Sequence, residues 1–104
     1  MNLELTHKAE FDLDEIWRYT ADEHGLDQAE LYLAFLLLEM NQLISEPTKG
    51  KVVPEFPQLR CLQMKWRPKG HGHLAFYETL NDAIRVVRVL HTAMDLPEHL
   101  AKSQ

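Results

Sequence analysis

A chain of 104 residues, 45% hydrophobic and 26% charged, has the length and composition of one globular domain over residues 1–104; it excludes a multidomain enzyme and a disordered polymer. Its formal charge of −5 is unevenly spread: up to Glu46 eleven acids face two bases, Lys8 and Arg18, whereas from Pro47 onward nine bases face five acids. A single-sign chain would point to a nucleic-acid or membrane surface, whereas this one predicts a solvated acidic face and a separate basic one.

Residues 2–6 read as a short strand, and Thr6 as the N-cap of a helix from residue 7 to about 24. Ala9, Leu13, Ile16 and Thr20 recur there at the spacing of one helical face, widened by Trp17. Gly25 suits a C-cap, and Asp27 with Glu30 has the spacing of a capping box, so a loop of about three residues around Gly25 and Leu26 joins a second helix antiparallel to the first. Ala29, Leu33, Leu36, Met40, Leu43 and Ile44 keep helical period to about Ser45, and Pro47 and Gly50 close it.

Residues 47–57, with three prolines, read as an irregular connector. Beyond it, residues 60–66, 73–78 and 83–91 are short apolar runs separated by Pro68-Lys69-Gly70 and Leu80-Asn81-Asp82, which predicts three antiparallel strands. Residues 96–101 suit a terminal helical turn with Pro97 at its first position. The expected fold is α+β: an N-terminal strand and an antiparallel two-helix hairpin packed on a small antiparallel sheet. The longest apolar run, Leu33 to Leu38, is far short of a membrane span, and Met1-Asn2-Leu3-Glu4-Leu5 has no secretory character. With one cysteine, Cys61, this predicts a reducing cytoplasm and no membrane.

Alternation along the strands assigns Leu62, Met64, Leu74, Phe76, Ile84, Val86 and Leu90 to a core face under the helices. The opposite face carries Lys65, Tyr77, Arg85 and His91 among Ala75, Val87 and Val89, although one bulge would reassign the residues beyond it. Arg60 and Arg88 fall on the core parity, which calls for an acid from the helices to pair with at least one of them.

Lys65, Tyr77, Arg85 and His91 have the types an RNA-cleaving site needs, a proton donor or acceptor with cations for the phosphate. The competing reading is a polar sheet face that binds a peptide or meets water, and the missing basic excess favours it. His71-Gly72-His73 supplies two rings without the third or fourth ligand of a zinc site, and no glycine-rich phosphate loop is present, so neither metal nor cofactor is expected. Cys61 reads as a small hydrophobe, and Trp17, Tyr19, Tyr32 and Phe35 as core or rim. The half-apolar face of Ala75, Val87 and Val89, fringed by Lys65, Arg67 and Arg85, predicts an extended or helical partner segment with apolar and acidic side chains.

The chain resembles the ParE group of the RelE/ParE toxin superfamily, small proteins of bacterial type II toxin–antitoxin modules. The likeness rests on Ala9, Asp12-Leu13, Ile16-Trp17, Tyr19-Thr20-Ala21, Ala29 and Tyr32, then Pro47, Gly50, Leu59-Arg60 and Phe76-Tyr77. It closes on Arg88-Val89-Leu90-His91, Met94-Asp95 and His99-Leu100, and spans about residues 3–100. Between Met64 and Leu74 the sequence is longer than the family's compact hairpin. The resemblance implies a cytoplasmic toxin held in a hetero-oligomer by a ParD-like antitoxin with a ribbon-helix-helix head and a disordered tail. ParE-type members inhibit DNA gyrase without chemistry of their own; RelE- and YoeB-like relatives cut mRNA on the ribosome, which remains the alternative for this chain. The motif from Arg88 to Asp95 and the missing basic excess favour the gyrase reading.

Overall fold

The computed structural model describes residues 1–66 and 72–92. Among the described residues five strands and two helices follow one another as β1 (Asn2–Leu5), α1 (His7–His24), α2 (Leu26–Asn41), a 3-10 turn (Gln42–Ile44), β2 (Lys51–Val53), β3 (Phe56–Met64), β4 (His73–Thr79) and β5 (Ala83–His91). The strands form one sheet in the order β1-β5-β4-β3-β2, antiparallel except where β1 runs parallel to β5. The expected α+β class holds, with a mixed sheet in place of a purely antiparallel one. The long βα path from β1 through the hairpin allows the parallel pairing, since the chain returns to β5 only after crossing the whole sheet.

Thr6 caps α1 as expected, its hydroxyl accepting from the Ala9 amide at 3.1 Å. The inter-helix loop is shorter than its sequence predicts. Gly25 alone is the C-cap of α1 and the N-cap of α2, at φ 92°, and no side chain caps α2, so Asp27 and Glu30 form no capping box. That backbone geometry favours glycine, and a one-residue joint leaves no room for a box.

The connector holds structure that its prolines conceal. Lys51–Val53 pairs with β3, and a register shift between Val52 and Val53 opens a bulge around Pro57, where the missing amide is tolerated. β3 therefore begins at Phe56 and ends at Met64, leaving Lys65 and Trp66 beyond it.

The largest departure lies in the faces of the sheet. Tyr77 pairs with Val86 while Phe76 pairs with Arg88, so Val87 is an extra residue in β5. Leu62, Met64, Ile84 and Val86 pack under the helices as expected, joined there by Ala75, Tyr77 and Val89. Leu74, Phe76 and Leu90 point the other way and form a second cluster with Val53 and Leu59. β4 is apolar on both faces, so alternation alone gives no way to choose between them. The predicted terminal turn at residues 96–101 lies outside the described residues.

Candidate partner-binding surfaces

β1 covers β5 only as far as Val86; there the Thr6 amide donates to the Val86 carbonyl at 3.0 Å and the chain leaves as α1. The Thr6 hydroxyl donates to the Val87 carbonyl at 2.9 Å, and the Asp12 carboxylate accepts the next edge amide, Val89, also at 2.9 Å. The same carboxylate takes a two-pronged grip from Arg88, Nε to Oδ2 at 2.8 Å and Nη2 to Oδ1 at 2.9 Å. The pair is largely buried, and the hydrogen bonds to Asp12 hold the guanidinium above its usual range. Arg88 thus meets an acid from the helices as expected, although the extra residue Val87 puts it in register with Phe76 and off the core parity assigned from sequence, whereas Arg60 donates to the Gly50 carbonyl at 2.7 Å.

The four residues of the RNA-cleaving alternative do not share a site. Tyr77 is fully buried; its hydroxyl accepts from the Gly50 amide at 2.9 Å and donates to the Pro47 carbonyl at 2.8 Å, and burial pushes the phenol up. A Cβ on Gly50 would stand 2.7 Å from that hydroxyl and 2.9 Å from the Cys61 carbonyl, so glycine is what admits the ring. Arg85 lies between Glu78 at 3.3 Å and Glu4 at 3.5 Å. His91 stands six residues further along β5, about 20 Å away at strand rise, and Lys65 is exposed past the end of β3.

The residues assigned from sequence to a partner face are redistributed as well. Ala75 and Val89 are buried under the helices, which corrects their placement on an open face. Val87 flanks the second cluster, Arg85 is half-buried between its acids, Lys65 is exposed, and Arg67 lies outside the described residues, as do Met94 and Asp95. An apolar, concave surface does exist. It is an open groove of about 650 Å³ walled by Val52, Val53, Cys61, Leu74 and Phe76, with Lys49, Lys51 and one acid, Glu55, also lining it. Burial drives the Cys61 thiol up to about 11, so at this wall it is an apolar contact and not a nucleophile.

A second feature, an aromatic and histidine corner, escaped the sequence reading. Tyr32 of α2 shares a 2.6 Å hydrogen bond with His73 Nδ1, and its ring lies 5.7 Å from Trp66 and 6.0 Å from Phe35. The His73 ring is 5.3 Å from His91; burial first, and His91 second, lower its pKa to about 4. The signal available was the spacing of Tyr32 and Phe35, i and i+3 on α2, but nothing local tied them to Trp66 or His73. Among the described residues no group of three or more His, Cys, Asp or Glu could hold a metal ion.

Residues 3–96 match the sequence family described as ParE toxin of type II toxin–antitoxin system, parDE. The chain is 36% identical over 98 residues to toxin ParE1 of Mycobacterium tuberculosis, covering 92% of this chain and 94% of that one. It is 30% identical over 97 residues to toxin ParE1 of Caulobacter vibrioides, with the same coverage. Among solved structures, a chain of the chromosomal ParDE toxin–antitoxin system from P. aeruginosa superposes with a TM-score of 0.74 at 22% identity, over 88% of this chain and 95% of that one, a likeness of fold.

Proposed function

The chain belongs to the ParE toxin family of type II toxin–antitoxin systems, and from that premise we propose that it acts in the cytoplasm by binding and inhibiting DNA gyrase, with no bond-making chemistry of its own. The observation that carries this reading is the engagement of the residues a nuclease would need. Tyr77 is buried with its hydroxyl used twice, and Arg85 is held by two acids at the far end of β5 from His91. A general acid must reach its substrate, and this phenol cannot. The test is a supercoiling assay with purified chain and gyrase beside mRNA integrity in cells expressing it. Blocked supercoiling with intact mRNA is expected; normal supercoiling with mRNA cut within codons would restore the ribosomal reading.

Neutralisation is by a ParD-like antitoxin whose disordered tail orders on the toxin. The groove between β2 and β4 suits such a tail: apolar walls for its hydrophobic side chains and Lys49 and Lys51 for its acids. This moves the docking surface from the set predicted around Ala75 and Val89 to the cluster of Phe76 and Leu74, while keeping its character of apolar floor and basic fringe. β2 is an edge strand of three residues, so an extended tail could also continue the sheet there.

A further inference from the structure

α2 is apolar around more of its circumference than its contact with the sheet uses. Ala29, Leu36 and Met40 are buried, yet Leu31 and Leu38 on another flank are 56% and 61% exposed, and Ala34 between them is exposed too. Leu31, Ala34, Phe35 and Leu38 follow the i, i+3, i+4, i+7 spacing of one stripe. The stripe continues off the helix, because the Phe35 ring lies 5.2 Å from that of Trp66, itself 37% exposed. A helix apolar on all sides is normally covered, and a contiguous patch of this kind marks an interface.

We propose that this stripe is a two-fold interface between two copies of the chain, with α2 packed antiparallel on α2 about an axis at Ala34 and Phe35. The pattern reads the same in both directions from that midpoint, so each Leu31 meets the second copy's Leu38, the self-complementarity a two-fold contact requires. The flanks agree. Two-fold packing sets each flank against itself, and Glu30 shares a flank with Asn41, three turns on, as Gln28 does with Glu39. Each carboxylate therefore comes beside an amide of the second copy and not beside another carboxylate. The groove proposed for the antitoxin lies on the opposite side of the sheet, so both surfaces can be occupied together.

So small a stripe falls below the roughly 800 Å² per partner of standard interfaces, and the dimer is therefore weak and concentration-dependent. Sedimentation equilibrium of the purified chain from about 1 to about 200 µM tests it, these being concentrations that bracket micromolar association. The expected result is a monomer–dimer equilibrium that Leu31→Glu or Leu38→Glu weakens by about tenfold or more, while the thermal midpoint at about 1 µM, where the chain is monomeric, is unmoved because both side chains are exposed in the monomer. In a Cys61→Ser background, Ala34→Cys at the axis should oxidise to a covalent dimer, whereas Asp22→Cys, exposed on α1, should not. A chain monomeric throughout this range, with no Ala34→Cys cross-link, overturns the proposal. So does hydrogen-exchange protection of residues 31–38 that arises only when the antitoxin is added, since the stripe would then be the antitoxin's.

Discussion

Asp12 joins three parts of the molecule through one carboxylate: its own helix, the Arg88 guanidinium and the Val89 amide that β1 no longer reaches. Replacing Asp12 with Ala removes all three bonds from a largely buried site and should cost about 3–5 kcal/mol, the range for breaking one side of a buried pair. Denaturant melts of Asp12→Ala, Arg88→Met and the double variant check this; a double-variant loss well below the sum of the two single losses, the signature of a shared interaction, is expected. His73 gives the chain a pH dependence of definite sign. Its folded pKa of about 4 lies below the ordinary 6.5, so the unfolded chain binds more protons between those values and stability rises with pH across that window. The loss on acidification from about pH 6.5 to 4 is on the order of 3 kcal/mol from this one ring, and His73→Gln should flatten that part of the profile. These two residues differ in legibility. The excess of acids in the helices pointed to a partner for Arg88 even though the bulge at Val87 reverses its parity, because a guanidinium near the helical layer calls for an opposite charge; Tyr32 and His73 carry no such complementary charge to announce their contact.

Most element boundaries follow from local chemistry. α1 ends where its apolar period ends, Thr6 caps it, and β5 spans the predicted residues 83–91. Gly25 is the tightest local constraint, serving two helices with φ at 92°, so Gly25→Ala should destabilise the fold by about 1 kcal/mol or more even though a Cβ there meets no atom within 4 Å. A thermal melt reads that strain without any packing contribution. The face of β4 was not legible for a physical reason. Alternation assigned Leu74 and Phe76 to the core face, but Tyr77 reaches across to Gly50 and Pro47 and draws the parity of Ala75 and Tyr77 inward. The extra residue Val87 then turns the far half of β5 over, and a bulge leaves no mark in apolar alternation. Tyr77→Phe keeps the ring but breaks both hydrogen bonds, so a loss of about 1–2 kcal/mol in stability with unchanged target inhibition is expected.

The whole molecule divides by charge much as its sequence does, with acids concentrated on the helical hairpin and two lysines against one acid, Glu55, lining the groove on the far side of the sheet. An acidic antitoxin tail approaching that groove should associate more slowly as salt rises, while its dissociation, governed by apolar burial against Leu74 and Phe76, changes far less. Lys51→Glu should slow association in the same way, and stopped-flow binding at low and high salt measures both. The central claim, that this toxin works by binding gyrase and not by cutting RNA, is tested most directly by gyrase supercoiling in the presence of purified wild-type chain and of Tyr77→Phe. Inhibition by both proteins at similar concentrations is the predicted result; undiminished supercoiling with the wild-type chain, together with mRNA cleavage that Tyr77→Phe abolishes, would contradict it.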